Sequence, residues 1–273
     1  MPAKRKPHPA GCAPKPTTDT DSSTIYFYLP NARPYGVFCQ WHPSPFNIPT
    51  SSLRFLTHSA PRPPPNHPTA SQILATHAPS IPFTCAEQSL MFCKALYFSS
   101  PDMCARIMAS ADPAIHKKLG RSVPGFSEWK WDRVKRRVAR VGNWYKFTDG
   151  RNERMRRVLL GTGGREIVEA SRRDRVWGCG YSEEEAEVHR ELWGENLLGR
   201  CLGDVRRIIR EREVEGWGEW DGDMGEGGED NEGKMKIDEE DNENDRDIKD
   251  RMEDLSLGDT IPPTWLRDGT LYF

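Results

Sequence analysis

Thr84-Cys85-Ala86-Glu87-Gln88-Ser89-Leu90-Met91-Phe92-Cys93-Lys94-Ala95 reads as the opening of a helix that carries two ionisable groups on its apolar side. Thr84 is a residue type that caps helix N-termini, and Glu87 stands three positions on, where a capping box places its acid. Lys94 follows Glu87 by seven residues, close to two turns, so both side chains project from one face with Leu90 and Met91 between them. A carboxylate and an amine that turn inward are costly unless paired or put to use. Two readings are open from this segment alone. Glu87 caps the helix and Lys94 lays its stem along the core edge, or the two are a working acid and amine.

With 273 residues, the chain is long enough for a sizeable core in one large domain or two small ones. Its net charge of -2 conceals an asymmetry, because the middle is rich in Arg and Lys while residues 213–254 are mostly acidic. The seven cysteines are an odd number with no C-x-x-C spacing. They point to free thiols in a reducing compartment and to no structural metal. No apolar N-terminal segment of signal-peptide type is present, and no run is long enough for a bilayer. The expectation is a cytoplasmic or nuclear protein without a membrane partner.

Residues 1–22, Pro- and Lys-rich without periodicity, and 214–256, dominated by Asp, Glu and Gly, are expected to be disordered. Residues 257–273 are apolar enough to dock. One domain spans 23–213. Within it 25–28 is expected as a short strand, 37–46 as an extended run because prolines bias their predecessors away from helix, and 57–82 as a Pro-rich insertion loop at the surface. Helices are expected at 84–98, 100–110, 112–120, 128–145 and 152–160, with a last amphipathic one running to about residue 213. Residues 166–170 are expected as a strand. The 128–145 helix aligns Trp131, Val134, Val138 and Val141 on one stripe, and Arg133, Arg136, Arg137 and Arg140 on the other. The fold class is mainly α with a few short β-strands.

Polar signposts follow one another along the chain. They are Gly36 with Phe38, Pro45-Phe46, Thr84-x-x-Glu87, Lys94, Gly120-Arg121, Trp131, Lys146-Phe147 and Leu160-x-Thr162-Gly163; then come Val168-Glu169-Ala170, Asp174-x-x-Trp177-Gly178-x-Gly180 and Asn196-Leu197-Leu198-Gly199. This ordered series resembles the NADAR family (NAD- and ADP-ribose-associated), also called the YbiA-like N-glycosidases, over residues 25–210 apart from the insertion. It departs from the usual pattern at Cys39-Gln40, where Ser-Asn is customary, and at Gln88 and Cys93, where His and Gln are. The resemblance implies a YbiA-like orthogonal helical domain that hydrolyses the bond between a ribose C1 and an amine, with no metal or redox cofactor. Implied substrates are ADP-ribose attached to guanine bases or phosphorylated ribosylamino-pyrimidine intermediates of riboflavin synthesis. ADP-ribosylated nucleic acid is a further implied partner. Glu87 and Lys94 are then catalytic with Asp174 beside them; Gly36, Phe38, Gln40, Arg121, Trp131, Lys146, Trp177, Gly178 and Asn196 are substrate-binding.

The chemistry of the residues agrees with that choice. An N-ribosyl amine opens its ring to an imine, which a neutral lysine attacks, and burial lowers an amine's pKa. Glu87 would then shuttle protons to the ring oxygen or the leaving nitrogen. Direct attack by a Glu87-activated water on an oxocarbenium-like centre is the rival route. A plainer role stands beside each other residue: Asp174 as cap of the turn before Trp177, Trp177 and Trp131 as core, and Asn196 as a helix N-cap. Arg121 and Lys146 grip phosphate or are solvated charge. Two other functions stay open, a non-catalytic ADP-ribose reader and a nucleic-acid-binding module that uses the arginine row and weakens steeply with salt.

Overall fold

The computed structural model describes residues 24–213 and 218–224. The expectations for 1–22, for most of 214–256 and for 257–273 lie outside the described residues. The main elements are β1 (Ile25–Phe27), β2 (Phe46–Pro49), α1 (Arg54–Ser59), α2 (Ala70–Ala75), β3 (Ser80–Phe83), α3 (Ala86–Tyr97), α4 (Pro101–Met108), α5 (Pro113–Arg121), α6 (Glu128–Thr148), α7 (Glu153–Gly161), β4 (Ile167–Glu169), α8 (Glu183–Ala186) and α9 (Leu197–Glu211). The fold is mainly α. Among the described residues the strands form two pairs, β1 with β4 in parallel (Ile25 opposite Ile167) and β2 with β3 antiparallel (Phe46 opposite Phe83).

α3 is the axis of the core. Every residue in it except Met91 is buried, the pattern of a helix with neighbours on all sides. α4, α5 and α6 pack around it, and glycine permits two of those approaches. A Cβ on Gly120 of α5 would lie 1.9 Å from Met91 Sδ, and one on Gly142 of α6 would lie 2.8 Å from Ser89 Oγ. The stripe Trp131, Val134, Val138 and Val141 of α6 is buried as the periodicity requires. α9 covers α6 from another side through Leu198, Leu202, Val205 and Ile209, all buried.

Five local expectations are corrected. The helix N-cap is Cys85, one residue after Thr84, and the amide of Gln88 takes the part expected of Glu87. Gln88 Oε1 accepts from the Thr84 backbone N–H (2.8 Å) and hydroxyl (3.0 Å), while Nε2 donates to the carbonyls of Ile107 (3.1 Å) and Ser110 (3.0 Å). Residues 37–46 are not one extended run, since Tyr35–Phe38 is a 3-10 turn. Gly36 is buried there, with no room for a Cβ between the carbonyls of Pro30 and Leu29.

The Pro-rich 57–82 stretch is more than a loop. Thr69 and Gln72 form a capping box that starts α2, and Ile73, Leu74 and Ile81 enter the core. α6 runs on to Thr148, which makes Lys146 and Phe147 helical. Residues 218–223, which composition assigns to the acidic tail, lie against α6. Trp220 is buried edge-to-face on Trp144 (5.3 Å), donates its backbone N–H to the Tyr145 hydroxyl (3.2 Å), and brings Asp221 into an ion pair with Arg137.

Candidate active site

α3 presents both ionisable groups to the interior. Glu87 is 6% exposed and Lys94 9%, so neither is the solvated surface charge that its residue type favours. The Lys94 amine lies over the ring of Phe126, with Nζ 3.7 Å from the centroid. Burial lowers its pKa to about 8; the charge of Arg121 pushes the same way, and Glu128 and Glu87 oppose. An amine at that value is roughly one-tenth neutral at pH 7, against well under a thousandth for a solvated lysine. Glu87 therefore acts on Lys94 through its field. Its backbone N–H donates to the carbonyl of Gln40 (3.0 Å).

A second layer holds the Cys39-Gln40 segment against α3. Gln40 is buried, and its Oε1 faces Asn143 Nδ2 at 3.5 Å. Asn143 also donates to the Ala139 carbonyl (2.9 Å), and its own Oδ1 is buried without a hydrogen-bond partner among the described residues. One turn on, Lys146 is completely buried and donates from Nζ to the Cys39 carbonyl at 3.0 Å. Burial lowers this amine to about 8 as well, with the Cys39 and Cys85 sulfurs opposing. Lys146 is thus neither a solvated charge nor, in this arrangement, open to a phosphate.

Cys85, at the helix start, sits 3.9 Å from His116 Nδ1, while His116 Nε2 bonds the Ser110 carbonyl at 2.8 Å. Burial pushes the Cys85 thiol up, so it is not an activated nucleophile. All six described cysteines are buried. Among the described residues no group of three or more His, Cys, Asp or Glu is placed to hold a metal ion, and no helix is long and apolar enough to cross a membrane.

The remaining sequence-predicted residues divide. Arg121, exposed at the end of α5, is close enough for its charge to act on Lys94. Trp131 is core, tilted against Tyr97 at 6.2 Å. Phe38 is fully buried among Phe27, Tyr35 and Phe147.

Asp174, Trp177, Gly178 and Asn196 lie in and beside the loop that runs from β4 to α9. Asp174 Oδ1 accepts the N–H groups of Val176 (3.1 Å) and Trp177 (2.7 Å), which caps the turn. The indole of Trp177 is half-buried against the main core. A Cβ on Gly178 would strike the Glu169 carbonyl at 2.8 Å. Asn196 is left-handed (φ 47°) and spends its amide on β4, accepting from Glu169 N–H (3.1 Å) and donating to the Ile167 carbonyl (2.9 Å). Backbone bonds such as Leu197 N–H to Val176 O (3.0 Å) tie this loop to α9.

Of the arginine row of α6, Arg133 is exposed, and the other three are engaged within the fold. Arg136 and Arg140 reach Asp204 of α9 at 3.3 and 3.5 Å, Arg140 being buried, and Arg137 lies over Phe55. A surface cavity of about 740 Å³ beside α2 and α4, lined by His67, Gln72, Ile73, His77 and Pro101 among others, shares no residue with the α3 site.

The NADAR domain profile matches residues 26–210, more than half of the chain. The chain belongs to the NADAR family. It is 36% identical over 126 residues to "N-glycosidase R617" of Acanthamoeba polyphaga mimivirus, covering 45% of this chain and 73% of that protein. It is 33% identical over 135 residues to "Protein irg-1" of Caenorhabditis elegans (48% and 63%), and 36% over 104 residues to "N-glycosidase Npun_R5314" of Nostoc punctiforme (38% and 60%). The chain thus spans less than two thirds of the latter two relatives. Among solved structures it is similar to the NMR structure of the E. coli protein YbiA, at 19% identity and a TM-score of 0.49, over 71% of this chain and 89% of that one. In this NADAR domain the departure at Gln88 falls on a side chain whose described bonds all go to Thr84, Ile107 and Ser110. Phe126 and Asn143 were not singled out by the sequence. An aromatic after Pro124-Gly125 in a helix connector was the available signal for the first; an asparagine inside a helix stripe gave none for the second.

Proposed function

We propose that this NADAR domain is an N-glycosidase that hydrolyses the bond between ribose C1 and an amine or base nitrogen, with Lys94 as Schiff-base nucleophile and Glu87 as general acid and base. The observation that carries the reading is a buried amine lowered to about 8, two turns along one helix from a buried glutamate. Two relatives bear the name N-glycosidase, which supports the same class.

In the proposed reaction a proton from Glu87 reaches the ring oxygen, and the C1–O bond breaks as the nitrogen lone pair forms a C1=N iminium. The neutral Lys94 amine adds to C1. A proton then passes from Nζ to the departing nitrogen, whose bond to C1 breaks, leaving the sugar as a Schiff base on Lys94. Water adds to C1, Nζ recovers its proton and electron pair, and the released aldehyde recloses. The sum is substrate plus water, with no cofactor consumed. Arg121, at the lip of the site, is the side chain best placed for a substrate phosphate. ADP-ribosylated guanine, free or in nucleic acid, and ribosylamino-pyrimidine phosphates are the expected substrates.

Incubation with ADP-ribosylated guanine should release ADP-ribose, and borohydride should trap an adduct on Lys94. Glu87→Gln should lower turnover by about 10²–10⁴-fold. Wild-type turnover in Lys94→Ala, with no trapped adduct, would move the chemistry to a Glu87-activated water. Binding of ADP-ribose with no release from any substrate would identify a reader instead.

A further inference from the structure

The connector between α5 and α6, residues 122–127, and the two residues that flank it bring three groups to the Lys94 amine. Arg121 ends α5 and Glu128 begins α6, and their opposite charges act on Nζ together with that of Glu87 on α3. Phe126 lies between them, with its ring face over Nζ at 3.7 Å from the centroid and in a T-shaped contact with Phe98 (5.5 Å between centroids). Phe126 is nevertheless 40% exposed as a residue, so it has solvent on one side and the amine on the other. The residue before it, Gly125, has φ +69° and nothing within 4 Å of the place a Cβ would occupy. That is a backbone conformation glycine tolerates, with free space beside it. A nucleophile has to come within roughly 3–3.5 Å of the carbon it attacks, and the ring already fills that distance on one side of Nζ.

We propose that Phe126 is a positioning residue for Lys94: its ring parks the amine in the free protein and must leave Nζ before that amine can attack a ligand carbon. The inference rests on the reading of Lys94 as the nucleophile. The ring has two effects on the amine. It excludes water from one side, and its negative face favours the ammonium form by the equivalent of about half a pH unit. A ligand that displaces the ring withdraws that support while keeping water out, so the proton is released as the substrate arrives.

The test uses the full chain without substrate. Reductive methylation with formaldehyde and cyanoborohydride is followed residue by residue by mass spectrometry, with Lys118, exposed on α5, as reference. At about pH 10 Lys94 should label several-fold faster in Phe126→Ala than in the wild type. Phe126→Leu keeps the cover and loses the ring's charge distribution, so its labelling midpoint should fall by about half a pH unit. Phe126→Trp should restore both the rate and the midpoint. An unchanged Lys94-to-Lys118 ratio in Phe126→Ala, or a Phe126→Leu midpoint at or above the wild-type one, overturns the proposal. Should buried Lys146 also begin to label in Phe126→Ala, that variant has opened generally, and the Phe126→Leu midpoint alone decides. Labelling requires no turnover. A failure here therefore leaves the glycosidase reading intact, and a failure of borohydride trapping leaves the cover intact.

Discussion

Lys94 and Lys146 have the same depressed pKa, about 8, and the same leading cause, burial. They differ in what lies against the amine. Lys146 donates to a peptide carbonyl, that of Cys39, and has no exposed surface. Lys94 lies under a side chain in a connector, at the edge of the domain and in the fields of Arg121, Glu128 and Glu87. A carbonyl cannot leave without refolding its segment, whereas a phenyl ring needs only to turn. Burial leaves an amine partly neutral at a pH where a surface lysine is charged; a neighbour that can be displaced is what makes it usable.

Matched substitutions sharpen that contrast. Lys94→Met should abolish turnover and leave the protein folded, while Lys146→Met should keep turnover within about tenfold, because it removes an anchor and not a reactant. Steady-state kinetics with circular dichroism checks this, and equal losses from the two would erase the distinction. Next in size is a stability effect that belongs to Lys146. Its proton leaves at about 8 in the folded chain and at 10.5 in the unfolded one, so between those values the unfolded chain binds more protons and stability rises with pH. The stability of wild type relative to Lys146→Met should therefore grow by about 3 kcal/mol from pH 8 to 10.5. Urea denaturation across that range would expose a flat difference, which would mean that the folded amine stays charged.

The smallest effect is in the rate. kcat/KM should climb about tenfold from pH 7 to pH 9 as Lys94 of the free protein loses its proton, and Lys146→Met should retain that limb. If the limb vanished with Lys146 instead, the roles of the two amines would be exchanged.

Much of the fold was legible where apolar spacing and helix starts agreed. Pro101 and Pro113 open α4 and α5, and the Trp131–Val141 stripe packs inward. Glu87 and Lys94 were legible as a pair because seven residues bring a side chain back to one face. Tertiary partners hid the rest. Thr84 and Glu87 match a capping pattern, yet Gln88 wins it because its amide also closes off the carbonyls of Ile107 and Ser110. Prolines around residue 63 masked the short Thr69–Gln72 box and the burial of Ile73 and Leu74. The arginine row of α6 looks solvated until Asp204 arrives from a helix more than 60 residues later. Asn196 and Asp174 carry the family pattern through backbone bonds of their own, a use that spacing alone does not separate from ligand contact.

Gln88 carries a consequence for engineering. A carboxylate at this position would turn an anion towards two carbonyl oxygens, so the exchange of one amide for an acid of equal size should loosen the first turn of α3 and, with it, the aim of the neighbouring glutamate. Redesign of substrate preference should therefore begin at the connector and leave this rivet alone, although the rivet lies next door to the acid in sequence.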